Sequence, residues 1–153
     1  MIVFRRARSM DFEVIKGILE KVGLMTDGIE QHIDNFMVAE EGNIVIATGG
    51  LEIYGDVAIL RSLAVLPEFQ GRGIGDGLVR ALINFAERRG VKKIFLYTRS
   101  AKPFFEKIGF LAVDSEELDK KSIKSLQIDQ CANSSILMKL DVNDFFKNIK
   151  CRK

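Results

Sequence analysis

The sequence of 153 residues predicts an α/β (α+β) domain with a central mixed, mostly antiparallel twisted sheet flanked by helices. Three observations support this fold class. Two apolar segments meet at Gly42-Asn43, a pair typical of an antiparallel hairpin. An amphipathic helical pattern follows a glycine-rich turn at 70–77. The apolar segment at 91–98 then returns to the sheet as a crossover strand.

The first elements are a strand over 2–6 and a helix that Ser9 caps and Gly23 ends. The apolar face of that helix is made of Ile15, Ile18, Leu19 and Val22. A short second helix is expected to start at Asp27, because Glu30 then takes the capping-box position three residues later.

The middle of the chain predicts an antiparallel meander. Strands are expected over 36–41 and 44–54, and Gly55-Asp56 turns the second of them into a strand over 59–66. The helix after the glycine turn ends at Gly90. Its buried face is expected to consist of Leu78, Val79, Leu82, Ile83, Phe85 and Ala86.

The last part of the chain gives weaker patterns. They predict a helical stretch over 116–126 and a strand over 135–140. The basic segment 146–153 is predicted to be a tail, which leaves 1–145 as one domain.

Composition excludes several classes of protein. Hydrophobic residues make up 47% and charged residues 29%, which indicates a globular chain, and a net charge of +2 gives no support for nucleic-acid binding. No apolar stretch is long enough to span a membrane, and charge near the start argues against a signal peptide, so a cytoplasmic location is expected. Cys131 and Cys151 are too few and too unpatterned for a metal site or a disulfide framework.

The glycine-rich turn Gln70-Gly71-Arg72-Gly73-Ile74-Gly75 predicts a site for an anion. A strand precedes the turn and a helix follows it, so backbone N–H groups and the positive end of the helix face the same place. A dinucleotide fingerprint needs glycine at 76 or 78, where the chain has Asp76 and Leu78, and no Lys-Ser or Lys-Thr pair completes a nucleotide-triphosphate loop. The alternative is a tight strand-to-helix turn with no ligand.

Residues 63–75 resemble the acetyl-CoA-binding motif of the GCN5-related N-acetyltransferase (GNAT) family, whose signature is Q/R-x-x-G-x-G/A after a strand and an x-Pro step. A second family segment, a strand and a short helix ending in Gly-Phe, is similar to 94–98 followed by 101–110. The resemblance implies the GNAT fold, with six or seven strands that splay at the cofactor site. It also implies acetyl-CoA as the co-substrate and no metal.

The resemblance assigns the cofactor contacts residue by residue. Backbone groups of Leu63, Ala64 and Val65 would pair with the pantetheine amides, and their side chains are compatible with a role in the core. The pyrophosphate would be held by Gln70, Gly71, Arg72, Gly73, Ile74, Gly75, Asp76 and Gly77.

Phe105 occupies the position where the family commonly has the tyrosine that protonates the leaving thiolate. It can still pack beside the CoA arm as a cofactor-binding residue, but it has no hydroxyl. The thiolate could leave unassisted, or a proton could come from a water or from Tyr97, Thr98 or Ser100.

The acceptor amine must lose a proton before it attacks the thioester. Glu52, on the strand beside the glycine-turn strand, is the candidate catalytic base, directly or through a water; the alternative is a solvated residue in an ordinary ion pair. The single histidine, His32, is read as a packing or surface residue. Arg61 is the candidate substrate-binding residue for a carboxylate or phosphinate, with a surface strand residue as the alternative. Arg8 and Arg99 are lesser candidates.

Further features resemble one branch of the family, the small amino-acid N-acetyltransferases, which includes N-acetylglutamate-synthase-like enzymes and enzymes associated with arsenic-resistance operons. This implies direct transfer in a ternary complex to a small-molecule amine acceptor, with glutamate or a glutamate analogue favoured. The alternatives are a non-catalytic acyl-CoA-binding sensor or regulator, and an acetyltransferase for another small amine. No nucleic acid or membrane is expected as a partner, and a homodimer is left open.

Overall fold

The structure is a computed structural model that describes residues 1–119, 123 and 135–151. Within these residues the strands form one seven-stranded sheet. In chain order they are β1 (Ile2–Arg6), β2 (Phe36–Glu41), β3 (Ile44–Tyr54), β4 (Val57–Val65), β5 (Lys93–Thr98), β6 (Leu111–Ala112) and β7 (Ile136–Asp141). The described helices are α1 (Phe12–Val22), α2 (Ile29–His32), α3 (Ile74–Arg88), α4 (Lys102–Ile108) and α5 (Val142–Cys151).

The order of the strands in the sheet is β1-β2-β3-β4-β5-β7-β6. Only one of the strand pairs with an assigned register is parallel, β4 with β5, whereas β1–β2, β2–β3, β5–β7 and β6–β7 are antiparallel. This mixed, mostly antiparallel sheet with flanking helices confirms the predicted fold class.

Contacts divide the chain into two compact units, one made of residues 1–52 and 60–85 and the other of residues 53–59 and the chain from 86 onward. The single domain over 1–145 stays a prediction. No helix in the described part of the chain has both the length and the apolar character needed to cross a lipid bilayer.

The core of the first unit lies where α1 and α2 cover one face of the sheet. Its buried members include three of the four residues predicted for the face of α1, and Val22, the fourth, is partly buried against them. The buried members from α1, α2 and β2 are Ile15, Ile18, Leu19, Ile29, Phe36 and Val38. Gly23 ends α1 as predicted, with φ of 78° and its N–H donated to the carbonyl of Glu20 at 3.2 Å.

Two predicted helix starts are wrong. Ser9 opens a 3-10 turn, Ser9–Asp11, and α1 follows at Phe12. The Asp11 carboxylate accepts the backbone N–H of Arg8 at 2.7 Å and so does the capping that was assigned to Ser9. The second helix begins at Ile29 after Gly28, with no side-chain cap, so the capping box at Asp27 and Glu30 does not form.

Asp11 also forms a bidentate ion pair that ties α1 to β1. Arg5 donates from Nη1 to Oδ2 at 2.8 Å and from Nη2 to Oδ1 at 2.9 Å, and its Nε donates to Glu40 on β2 at 2.7 Å. The hydrogen bonds from Arg5 hold the pKa of Asp11 below its ordinary value of 3.8, against the opposing effect of burial.

Replacing Asp11 with asparagine is expected to lower the free energy of unfolding by about 1.5–3 kcal/mol, because hydrogen bonds to a charged group are lost. A carboxyl whose pKa is depressed by folding stabilises the protein above its unfolded pKa, and this contribution is lost as pH falls through the folded pKa. Urea unfolding at pH 7 and at steps below about pH 4 should therefore show the two proteins converging in acid.

Glu20→Gln, at an exposed position on the same helix, is the matched control and should stay within about 0.5 kcal/mol of the parent at every pH. A stability difference between the parent and Asp11→Asn that is the same in acid as at neutral pH would contradict this assignment.

The second unit has its own apolar cluster, made of Ile59, Phe95, Leu118, Ile123 and Leu137. Strand β7 confirms the strand predicted over 135–140. A 3-10 turn, Ser115–Glu117, stands at the start of the helical stretch predicted over 116–126, most of which lies outside the described residues. Cys131 is also outside them. The predicted tail is helical as far as residue 151, because α5 spans Val142–Cys151.

Candidate active site

The turn between β4 and α3 has the geometry of an anion site. After a 3-10 turn at Pro67–Phe69, the backbone passes through Gly71 with φ of 83° and Gly73 with φ of 79°, and α3 begins at Ile74. A side chain is strained at such φ values. A Cβ built on either glycine meets nothing within 4 Å, so both face open space beside the N-terminus of a 15-residue helix.

Amide groups of the first helical turn complete this cradle. The N–H of Gly77 is donated to the carbonyl of Gly73 at 3.0 Å, which closes the first turn of α3. The amides of residues 74–76 come before that bond, where an α-helix leaves its N–H groups without intrahelical partners. The Gly77 amide, predicted to bind pyrophosphate, donates within the helix in this structure, and its role toward a cofactor stays a prediction.

The polar side chains of the cradle have partners within the protein. Gln70 donates from Nε2 to the carbonyl of Val65 at 3.0 Å and so fastens the turn to the end of β4. Asp76 pairs with Arg80 one turn later at 2.8 Å, which directs its charge along the helix. The guanidinium of Arg72, predicted to add a cation beside the phosphates, lies 5.2 Å from the centre of the Phe69 ring. It is also 3.6 Å from Glu41.

The residues predicted to bind pantetheine lie at the C-terminal end of β4. The assigned register of β4 with β5 covers Val57–Ile59, and Leu63, Ala64 and Val65 follow it along the strand. Ala64 is buried, whereas Leu63 and Val65 are half-buried. Their backbone role toward a cofactor stays a prediction.

Glu52 of β3 and Arg61 of β4 form a buried ion pair. Arg61 Nη1 donates to Glu52 Oε2 at 2.8 Å, and the side chains of Arg61 and Glu52 are 0% and 2% exposed. Both alternatives that placed these residues in solvent on the strand surface are therefore wrong. The sequence also suggested two separate roles, whereas the structure joins the two residues directly.

The rest of the Arg61 guanidinium is only partly satisfied. Its Nε donates to the hydroxyl of Ser62 at 3.0 Å. Its Nη2 is buried and has no hydrogen-bond partner. Ser62 has φ of 59° in the middle of β4, a left-handed conformation uncommon for a residue with a side chain.

Two residues near the N-terminal helices border this ion pair. A Cβ built on Gly28, where φ is 81°, would lie 3.2 Å from Arg61 Nη1, so the absence of a side chain lets the backbone approach the guanidinium. His32 is half-buried and feels the charges of both Glu52 and Arg61. Burial is the main reason why the pKa of His32 lies below its ordinary 6.5, with Glu52 opposing this shift and Arg61 adding to it.

Sequence reasoning missed Gly28, and its interpretation of His32 as a packing or surface residue did not include the proximity of His32 to this ion pair. Both belong to a short segment that lies near residues of β3 and β4, far away in the sequence, and no local spacing predicts such proximity. Arg8 and Arg99, the lesser candidates for substrate binding, are both exposed.

Phe105 lies in α4, in the second unit. It is buried and packs edge-on against Phe104 and Phe110, with ring centres 5.0 and 5.6 Å away. Thr98, one candidate to replace the missing tyrosine as proton donor, accepts the N–H of Ala101 with its hydroxyl at 3.0 Å. The cofactor role of Phe105 stays a prediction.

A mixed sheet with a glycine turn between a strand and the N-terminus of a long helix is the arrangement of a protein domain suited to an anionic ligand. The pattern of the acetyltransferase (GNAT) family matches residues 10–110. The chain belongs to the acetyltransferase (GNAT) family.

Similar proteins and solved structures agree with this family assignment. The amino-acid acetyltransferase of Buchnera aphidicola subsp. Schizaphis graminum is 31% identical over 129 residues, 78% of this chain and 28% of that protein. An uncharacterized N-acetyltransferase of Chlorobaculum tepidum is 33% identical over 125 residues, 76% of this chain and 80% of that protein. The structure of N-acetylglutamate synthase from Neisseria gonorrhoeae complexed with coenzyme A and N-acetyl-glutamate matches with a TM-score of 0.79 at 23% identity, over 93% of this chain and 35% of that chain.

The family assignment confirms the resemblance to the GNAT family that the sequence predicted. The likeness to the Neisseria structure shows the fold. This chain spans 28% of the Buchnera protein and 35% of the Neisseria chain, so it corresponds to one part of those longer molecules.

Proposed function

We propose that this protein transfers the acetyl group of acetyl-CoA to the amino group of a small amino-acid-like acceptor, with glutamate or a glutamate analogue favoured. The observation that carries the proposal is the turn through Gly71 and Gly73, whose left-handed backbone opens to space at the N-terminus of α3. Such a turn suits a pyrophosphate better than a bulky or cationic ligand, because backbone N–H groups and the helix dipole both favour an anion.

The proposed acceptor rests on Arg61. A buried guanidinium with one unpartnered nitrogen is suited to a carboxylate, which accepts two parallel N–H bonds. The names of two relatives, an amino-acid acetyltransferase and an N-acetylglutamate synthase, agree with an acceptor that carries a carboxylate. Within the class of small amino acids, glutamate is favoured because one similar protein is named an N-acetylglutamate synthase.

The reaction runs in one ternary complex. An amino group with a pKa of roughly 8–10 is protonated at pH 7, so Glu52, directly or through a water, first takes one proton from it. The free amine attacks the thioester carbonyl and the C–N bond forms. The nitrogen then gives its second proton to water, and the C–S bond breaks as CoA leaves as a thiolate. Since Phe105 has no hydroxyl, the thiolate takes its proton from water or from the protonated Glu52.

Replacing Glu52 with glutamine should lower kcat by about a hundredfold or more, because a base contributes about 10² to 10⁴ in rate. The affinity for CoA should stay the same, since Glu52 is on β3 and the cradle lies between β4 and α3. Steady-state thiol release and CoA titration measure the two quantities on the same preparations. An unchanged kcat would remove Glu52 from the chemistry.

The missing hydroxyl at Phe105 favours a second candidate, a non-catalytic sensor of acyl-CoA. The two functions differ in one measurement, which is the release of CoA thiol from acetyl-CoA across a panel of amino acids, amines and peptides. Release with an acidic amino acid is the expected result. Tight CoA binding without release for any acceptor would leave the sensor.

A further inference from the structure

The ion pair between Glu52 and Arg61 has the charge arrangement that complements an α-amino acid. The carboxylate and the guanidinium lie 2.8 Å apart and have very little contact with water. An α-amino acid carries an ammonium group and a carboxylate on one carbon, so its two charges are also adjacent. Placed head to tail, each charge of the acceptor meets its opposite in the pair.

We propose that Arg61 exchanges its partner when the acceptor binds: the α-carboxylate of the acceptor replaces Glu52 at the guanidinium, and the released Glu52 binds the adjacent ammonium group. This inference rests on the proposed function and names the chemical group that the site recognises. The recognised group is the carboxylate next to the reacting amine and not a carboxylate at the end of a side chain.

The incomplete hydrogen bonding of the Arg61 guanidinium supports an exchange of its partner. A guanidinium has five N–H donors, and in this structure Nε is bonded to Ser62 and Nη1 to Glu52 while the buried Nη2 has no acceptor. Buried donors are nearly always hydrogen-bonded in folded proteins. A carboxylate that bonds both Nη1 and Nη2 would satisfy the group better than Glu52 does through a single oxygen.

The backbone of Gly28 lies against the ion pair between Glu52 and Arg61. Its backbone lies close enough that even a methyl group would come within 3.2 Å of Arg61 Nη1. It stands immediately before α2, which is four residues long and is anchored in the core by Ile29, 1% exposed. The proposal therefore places the entry of the ligand at Gly28, where the backbone lies against the guanidinium, while the buried Ile29 keeps α2 in place.

The exchange also prepares the base for its reaction. Before binding, the carboxylate of Glu52 is neutralised by Arg61. After the exchange it faces the ammonium group, takes one proton from nitrogen and becomes a neutral acid, and the amine is left as the nucleophile. No electron transfer or further reactant is needed, and the charge removed from Glu52 is matched by the proton removed from the acceptor.

The exchange makes a prediction that a purely structural ion pair does not. Glutarate, which is glutamate without its amino group, competes with Glu52 for Arg61 in the parent protein. In Glu52→Gln that competitor is neutral, and Arg61 keeps its charge because a guanidinium does not lose its proton in proteins. Calorimetric titration of the CoA-saturated proteins should therefore show glutarate binding about tenfold or more tightly to Glu52→Gln.

Glu40→Gln is the matched control, because Glu40 pairs with Arg5 at 2.7 Å on the same sheet and lies outside the proposed site. It should leave the affinity for glutarate unchanged. Equal, weaker or undetectable binding of glutarate to Glu52→Gln overturns the exchange. If no amine at all supports thiol release, the proposed function fails, yet the glutarate titration still decides whether the carboxylates compete.

The parent protein provides a second test that needs no variant. Glutamine keeps the α-carboxylate and lacks the side-chain acid, whereas isoglutamine, the α-amide of glutamate, has the opposite arrangement. The exchange predicts that kcat/KM is lower by about tenfold or more for isoglutamine than for glutamine. The reverse order would show that the distal carboxylate is recognised and would overturn the inference.

Discussion

Replacing Arg61 with alanine is expected to lower the free energy of unfolding by about 3–5 kcal/mol, because it leaves the carboxylate of Glu52 buried without its cation. Glu52 is 1% exposed, so water does not replace the lost partner. Urea unfolding at pH 7, with the slope m checked for constancy, measures the change. The loss should be among the largest of any single polar substitution in this chain.

The double variant Glu52→Gln/Arg61→Met separates the cost of an unpaired charge from the cost of lost packing. Removing both charges together should destabilise the protein less than Arg61→Ala alone, since well-packed neutral groups often replace a buried pair at little cost. Glu40→Gln gives the scale for a partly exposed pair, about 1 kcal/mol or less. If Arg61→Ala costs less than Glu40→Gln, Arg61 is not paired with a buried charge in solution.

This expectation changes how kinetics of Arg61 variants must be interpreted. A raised KM for an acidic acceptor supports a role in substrate binding only if the variant is folded at the assay temperature. The affinity for CoA provides that check, because the cradle lies on the turn before α3 and does not include the ion pair.

The fold was largely predictable because its signals are local. Apolar alternation and the turn Gly42-Asn43 placed β2 and β3 with the bounds that the structure has, and 3.6-residue periodicity with Gly90 placed α3. The start of α1 was predicted wrongly because its capping depends on contacts from elsewhere in the fold. Asp11 caps because Arg5 of β1 is there to hold it, and nothing within the helix itself signals that partner.

The candidate site was predictable only in its residue types. Glu52 and Arg61 were chosen for their chemistry and their neighbouring strands, but their pairing depends on the backbone at Ser62, where φ is 59°. A Cβ on Gly49 would lie 3.3 Å from Leu63, so Leu63 lies on the face of the sheet toward which residue 49 points. Residues 49 and 52 of a strand point to opposite faces, so Glu52 lies on the face opposite Leu63. Arg61 bonds to Glu52 and therefore lies on that opposite face as well. In a regular strand Arg61 and Leu63, two positions apart, would share one face.

The left-handed conformation at Ser62 thus explains why Arg61 and Glu52 lie on the same face, which strand periodicity does not predict. It turns Arg61 toward Glu52, and the Ser62 hydroxyl then accepts the Arg61 Nε–H at 3.0 Å. Neither the positive φ nor the change of face has a signature in the residue pattern, because serine is not a residue that favours that conformation. The glycine turn before α3, by contrast, could be predicted from the sequence, because glycine is the residue that such a turn requires.

Substitution of Gly73 by alanine should weaken CoA binding by about tenfold or more, which corresponds to the loss of one or two hydrogen bonds to a charged group. Alanine at φ of 79° is strained by about 1–2 kcal/mol, so the backbone relaxes and the amides of the first turn of α3 move away from the phosphates. The new methyl group also points into the open space that the phosphates would occupy.

Gly90 provides an unusually close control for this experiment. It has φ of 81° and open space around its would-be Cβ, as Gly73 has, but it lies at the opposite end of α3. Gly90→Ala should lose a similar amount of stability, about 1–2 kcal/mol for a left-handed alanine, and leave the affinity for CoA as it is. Calorimetric titration with CoA and urea unfolding on both variants make the comparison. Equal losses of CoA affinity in the two would mean that general destabilisation, and not the cradle, controls binding, whereas a loss confined to Gly73 identifies the turn as the phosphate site.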